Sequence, residues 1–517
     1  MSEINDMPSV QQRIGFIAVM VGMFMAILDI QIVASSLNEI QAGVSATAEE
    51  ISWVQTAYLI AEVIMIPLSG MLTRWLSTRL TFVLSCSAFT LASIGCAMAQ
   101  TIEQLIVLRA IQGFVGGAMI PIAYALGFRL FPPRMMGLIQ AIIGMIATTA
   151  PSIGPTLGGF ITQSTSWHWL FLMNVVPGII ASVVVWFNLH IDKPDFSLFK
   201  KIDFVGLLFL ALFLGPLEYV LEEGPGEDWF ASLPIIWLTL LSIGSGIAFF
   251  WRALTVDFPI VDLKVFKDHN FALGTIFGFI LGIALYGLVY LMPMFFGTVR
   301  LFNSLQIGEI MFVTGATMFL TAPVVGRLSD KVDPRLMLTF GLFLVGLGAI
   351  MNSSLTSQSG FDDFFWPQIT RGVGLLVCLL TATRLAMGTL PANEISNAAG
   401  LFNVMRNLGG AVGLAAMDTI RDVRLDYHWT QLIQSVDMTR ETVVEQLYQS
   451  QMNLTGMVSD PAAAAVKQVS QRVLTQANIL SFNDLFLLLG VMFMCAIPLM
   501  LFMRKPATVA NGNKDIH

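Results

Sequence analysis

An all-α polytopic membrane protein is what this sequence predicts, and three observations carry the prediction. Hydrophobic residues make up 56% of the 517 positions and charged residues only 12%, against about 25% charged in ordinary soluble chains. The apolar residues gather into about fourteen runs, each close to the ~20 residues a helix needs to cross the hydrocarbon core. Lysine and arginine crowd alternate short connections, as they do in chains threaded back and forth through a bilayer.

In order, the spans fall at 14–37, 51–73, 80–99, 104–126, 136–161, 169–190, 203–222, 232–252, 270–295, 304–326, 335–352, 365–387, 396–420 and 482–503. The leading segment "MSEINDMPSVQQR" is polar and mildly acidic. The run behind it is too long for a signal-peptide core and is expected to stay as the first span. With the N-terminus inside, one set of loops holds Arg74, Arg79, Arg129, Arg134, Lys193, Lys200, Lys201, Arg252, Lys264, Lys267, Arg327, Lys331, Arg335, Arg504 and Lys505. The opposite short loops hold Arg300 and are otherwise acidic, with Glu49, Glu50, Glu222, Glu223, Glu227, Asp362 and Asp363. Both termini are therefore expected on the cytoplasmic side. Residues 421–481 form a long polar outer connection, in which "ETVVEQLYQSQ" and "AAAAVKQVSQRVLTQ" read as helical. It is either a solvated cap or a docking surface for a partner outside the membrane.

Several chemistries leave no mark. Cys86, Cys96, Cys378 and Cys495 all lie in apolar runs without a CxxC pair, which reads as packed free thiols. His168, His190, His269, His428 and His517 are scattered without metal-ligand spacing, so neither a metal nor another cofactor is expected. No G-x-x-x-x-G-K-[ST] appears and no K⁺-filter-like run is visible. An ion gradient is left as the energy source.

The fifth span, "AIIGMIATTAPSIGPTLGGF", combines Pro151 and Pro155 with Gly154 and Gly158 four residues apart. Prolines remove backbone donors and bend a helix. Small residues at that spacing let helix backbones approach closely in lipid. A kinked helix with a smooth face is expected, either as a tight crossing or as a surface that rocks against a neighbour.

This stretch resembles the antiporter motif of drug-exporting major facilitator proteins, through Gly154-Pro155 followed by Gly158-Gly159. "FMAILDIQIV" (24–33), "WVQTAYLIAEVIMIPLSGML" (53–72), "LRAIQGFVGGAMIP" (108–121), "WHWLFLMNVVPG" (167–178), "GRLSDKVDPR" (326–335) and "AAGLFNVMRNLGGAVGLA" (398–415) follow the same group in order. The chain thus resembles the EmrB/QacA-type fourteen-span drug:proton antiporters of the major facilitator superfamily. The resemblance implies two six-helix bundles, 1–200 and 256–517, with two additional spans within 201–255. It implies proton-driven efflux of amphipathic or hydrophobic drugs by alternating access in the inner membrane. It also implies an EmrA-like periplasmic adaptor and an outer-membrane channel as partners, which would make 421–481 the docking element. Export of one native metabolite or lipid, such as a fatty acid or siderophore, is the alternative. In the first-half loop motif, "GMLTRWLSTRL", Arg74 replaces the usual acid and Ser77 the usual glycine. A loop gate is therefore expected in the second half, on Gly326, Asp330 and Arg335.

Ionisable residues inside spans are costly in lipid and should face a bundle interior or water. Asp29 is mid-span in the first helix: a packed, hydrogen-bonded carboxylate or a proton site, and the resemblance implies the latter. Arg109, in the fourth span, stays charged and must find partners; the family motif implies a switch acting on a carboxylate. Glu62 lies mid-helix in the second span, where the family pattern requires no acid, and is expected to be a second proton site or a partner for cations. Glu218 is expected near the outer end of an added span, within reach of water. Arg371 and Arg384 are expected to snorkel from the ends of theirs. Tyr58, Tyr286 and Tyr290, with Asn403 and Arg406 at i and i+3, are the expected polar lining of a substrate cavity that is otherwise apolar. The 38 phenylalanines and 29 methionines supply an adaptable wall.

Overall fold

The computed structural model describes residues 7–132, 135–197, 203–329, 331–391, 394–436, 440–455, 457 and 460–504. Among them every regular element is helical. Helix α1 (Val10–Ala34) begins at a capping box in which Ser9 accepts from the Gln12 backbone and the Gln12 side chain reaches back. The short α2 (Leu37–Val44) leads to α3 (Ala48–Leu76), opened by the same device at Thr47 and Glu50. Next come α4 (Thr78–Met98), α5 (Ile102–Gly116) and α6 (Met119–Leu130); the last two form one crossing broken near Gly117. Helix α7 (Met136–Ser164) contains Pro151 and Pro155 and bends by 41° between Pro151 and Ile153. Helices α8 (His168–Leu172) and α9 (Val175–Asn188) share the next crossing.

The added pair is α10 (Phe204–Glu223) and α11 (Leu233–Thr255). Then follow α12 (His269–Thr298), α13 (Ser304–Ser329), α14 (Pro334–Met351) and α15 (Phe361–Met387). The chain ends on α16 (Ile395–Ser435), α17 (Glu441–Leu454) and α18 (Pro461–Ala496).

Twelve described stretches are helical, long and apolar enough to cross a membrane, and the bent α7 makes thirteen. The predicted span 396–420 is helical too, but Asn403, Arg406, Asn407 and Asp418 make it less apolar than the rest. It is lined by α12, α18, α3 and α6, with Asn403 and Arg406 buried in those contacts. A helix shielded by other helices does not need the apolar surface that lipid demands. Large apolar side chains such as Val107, Ile111, Phe187, Trp237, Trp251 and Phe319 are exposed on the outside of the bundle. A belt of that extent is stable where lipid solvates it.

Packing between the two halves of the chain runs mainly through α7 on α13 and α3 on α16. Helix α10 lies beside the second seam and touches both α3 and α16. Its C-terminal end and the connection after it are tied to both: Thr56 donates to the Glu223 carboxylate at 2.8 Å, and the Trp229 indole donates to Thr419 at 2.8 Å. Outside the bundle, α16 and α18 extend as long helices. Asp484 joins them, receiving Arg424 at 2.5 Å and His428 at 2.6 Å. Both stretches read as helical in the long outer connection are helical here, with α17 packed on α18. All four cysteines are free; Cys86, Cys96 and Cys378 are packed inside, while Cys495 is exposed on the outer face of α18.

Candidate functional site

A run of polar residues from four separate segments meets in the interior of the first half. Asp29, on α1, is 1% exposed and Arg109, on α5, is 0% exposed. Arg109 Nη1 donates to Asp29 Oδ2 at 2.6 Å. The other carboxylate oxygen receives Asn174 Nδ2 at 2.6 Å and Gln112 Nε2 at 3.2 Å. Arg109 also donates to the Val54 carbonyl at 3.1 Å and to Gln112 Oε1 at 2.7 Å, and lies over the Tyr58 ring at 4.2 Å. Ser93 receives Gln112 at 2.8 Å and closes the network. A buried ion pair is tolerable when its remaining polar atoms are also hydrogen-bonded. Here all but Arg109 Nη2 have partners.

Local sequence explains how the helices come so close. A Cβ at Gly113 would collide with the Tyr58 carbonyl, so only glycine lets α5 lie against α3 at that level. One turn beyond Tyr58 on α3 stands Glu62, 3% exposed. Glu62 makes no hydrogen bond and no ion pair among the described residues. It faces a cavity of about 790 Å³ bounded by α1, α3, α7, α10, α12 and α16. The cavity reaches the helix ends marked by Leu37, Ser52, Pro225 and Met294.

The predicted residues divide between these places. Tyr286 and Tyr290 line the cavity, with the Tyr290 hydroxyl donating to Asp418 at 3.0 Å. Tyr58 instead lies buried beneath Arg109, because α5 covers that face of α3. Asn403 donates to the Ala399 carbonyl of its own helix at 2.8 Å, and Arg406 donates to Tyr124 at 3.0 Å; neither is on the cavity wall. Pro155 lines the cavity beside Pro151. Gly154 and Gly158 turn toward α1: a Cβ at Gly154 would stand 2.6 Å from Gln31 Cβ, and one at Gly158 would stand 2.7 Å from Ser35 Oγ. The smooth face of α7 therefore meets α1 in its own half, and a different part of α7, Thr156, meets Gly308 of α13. Gly159, also in α7, is buried.

In the loop motif, Gly326 accepts from Ser329 at 2.9 Å and Arg335 pairs with Asp333 at 3.2 Å. Asp330 lies outside the described residues.

Two further expectations change, for Arg371 and Glu218. Arg371 does not snorkel: it is 1% exposed, held by Thr314 Oγ1 at 3.0 Å, the Leu288 carbonyl at 3.3 Å and Met292 Sδ at 3.3 Å. Arg384, partly exposed in the last turn of α15, donates to the carbonyl of Ser329 at the end of α13 at 2.5 Å. Glu218 does not reach open water; it is 7% exposed and lies on the cavity wall. Sequence reasoning missed Gln112 and Asn174. The first could have been found by its i+3 spacing from Arg109, since both fall on one helix face. Nothing local marks Asn174, which reaches Asp29 across 145 positions.

A lipid-facing helical bundle that encloses a polar-flecked cavity and a sealed ion pair defines a multi-pass membrane transporter. The chain belongs to the Major Facilitator Superfamily, whose family description matches residues 19–414. It is 44% identical to the colistin resistance protein EmrB of Acinetobacter baumannii over 95% of this chain and 96% of that one. It is 28% identical to the multidrug export protein EmrB of Escherichia coli K12 over the full length of both. The fatty acid resistance protein FarB of Neisseria gonorrhoeae is 28% identical over 95% of each chain. The crystal structure of the human organic anion transporter MFSD10 (TETRAN) has the same fold, with a TM-score of 0.55 at 13% identity, covering 93% of this chain and 99% of that one.

Proposed function

We propose that this protein is a proton-driven multidrug efflux antiporter of the inner membrane, with both termini cytoplasmic. Relatives named as multidrug export proteins support the cargo class. The observation that carries the coupling is Asp29, buried and held by Arg109 and Asn174 within the first half of the chain. Residues 1–200 and 256–517 act as two bundles that rock about the α7–α13 and α3–α16 seams, with the 201–255 pair between them. Cargo is taken up from the cytoplasm or inner leaflet while Asp29 carries its charge. A proton arriving from outside neutralises that charge, loosens Arg109, and lowers the cost of the change that releases cargo. Return to the inward state gives the proton to the cytoplasm. Each proton moving down the membrane potential supplies about 2.3 kcal/mol per 100 mV.

The long helices α16 to α18 outside the bundle are the element that would meet an EmrA-like adaptor and, through it, an outer-membrane channel. Export of a single lipid or metabolite is the second reading, and the FarB name favours it. The cavity wall weighs against a fatty acid, since Glu62, Glu218, Glu222 and Asp418 would repel a carboxylate. Uptake of several dyes into inverted vesicles under an imposed pH gradient tests the proposal. Uptake should stop when the gradient is collapsed; equal uptake without any gradient would overturn it.

A further inference from the structure

The cavity wall has a one-sided charge. Among the described residues four carboxylates line it, from Glu62, Glu218, Glu222 and Asp418, and no lysine, arginine or histidine does. They are not equivalent. Asp418 is occupied, receiving the Tyr290 hydroxyl at 3.0 Å and standing 3.5 Å from Arg421. Glu222 is one turn outward from Glu218 and only partly buried. Glu62 and Glu218 are 3% and 7% exposed, both face the cavity, and neither makes a hydrogen bond or ion pair among the described residues.

Burying a charged carboxylate without partners is expensive, so two such groups on one wall are either neutralised by protons or offset by a cation between them. Both line one cavity, so when both are charged each makes the other costlier unless a cation sits between them. Arg406, on α16, is buried but is not among the residues that line the wall. It is itself tied to Tyr124 and forms no ion pair with Glu62. The remaining wall is apolar or aromatic, with Leu59, Leu285, Tyr286 and Val289. That suits the hydrocarbon and ring surface of an amphiphile.

We propose that Glu218 of α10 and Glu62 of α3 form a two-carboxylate site for amphipathic dications, so that the added helix pair is part of the cargo-binding site. The proposal rests on the efflux reading above and names its cargo class. It assigns a role to a residue of the added pair, where a mere spacer would need no buried acid.

The test uses full-length protein in nanodiscs and three fluorescent or quenching probes. These are dequalinium, with two quaternary nitrogens; tetraphenylphosphonium, with one charge; and uncharged Nile red. A charge-assisted contact is worth about tenfold or more in affinity. Glu218→Gln should weaken dequalinium by about that factor, change tetraphenylphosphonium less, and leave Nile red within about twofold. Glu218→Asp should recover part of the loss. Should Glu218→Gln fail to fold, Glu62→Gln decides through the same three probes. Dequalinium binding within about twofold of the parent, or an equal loss for all three probes, overturns the two-carboxylate site. In proteoliposomes, parent protein that moves Nile red on a proton gradient but shows no preference for charge overturns this inference alone. Parent protein that moves none of the probes overturns the efflux reading as well.

Discussion

Asn174 donates to Asp29 at 2.6 Å from the junction between α8 and α9, as short a contact as the one Asp29 receives from Arg109. The carboxylate is thus clamped from two sides, by a charge on one oxygen and by a neutral amide on the other. The amide fixes the orientation in which the charge pair forms.

Asn174→Ala should leave Asp29 Oδ1 with Gln112 alone, at 3.2 Å. Losing one hydrogen bond to a buried carboxylate costs about 1.5–3 kcal/mol. A lower thermal unfolding midpoint in detergent and slower proton-linked transport are expected. An unchanged midpoint together with unchanged transport would show the bond to be idle.

Asp29→Asn should insert in the membrane but lose substrate-induced proton release in proteoliposomes. The change also strands a buried guanidinium, which costs about 3–5 kcal/mol. The double variant Asp29→Asn with Arg109→Gln should therefore recover stability without recovering coupling. Normal proton release from Asp29→Asn would remove this residue from the mechanism.

Gly154→Val should be damaging, because its Cβ would lie 2.6 Å from Gln31 on α1. Overpacking of this kind costs about 1–3 kcal/mol. Gly144, on the same helix, offers a contrast: its Cβ would stand 3.7 Å from Leu379 Cβ, an ordinary contact. Drug resistance in cells should fall for Gly154→Val and persist for Gly144→Ala. Equal tolerance at both would mean that the α1–α7 crossing is looser than described.

Deleting residues 440–475 removes α17 and the outer part of α18 but spares the Asp484 contacts to Arg424 and His428. Resistance in cells should drop while uptake by inverted vesicles survives. Loss of both activities would assign these helices to folding.

Much of the architecture is legible from local composition. The spans, the proline bend in α7 and the helical outer connection follow from runs of one residue class. So does the interior position of Asp29, since a carboxylate in an apolar helix has few places to go. The span 396–420 shows the limit. Its polar residues lower its apolarity, yet neighbouring helices cover it. Arg371 shows another. Its place near a helix end suggested reach toward water, but the inward-facing Leu288 carbonyl and Thr314 hydroxyl were closer.

Membrane residence, span lengths and the absence of a nucleotide motif were settled by the order of residues alone, because hydrocarbon thickness acts on each helix separately. Which polar groups meet was decided only by packing. Asp29 finds Arg109 across 80 positions and Asn174 across 145, and α10 carries Glu218 to the same cavity as Glu62. Such pairings depend on helix rotation and on glycine-permitted contact between distant segments, which no local run of sequence encodes.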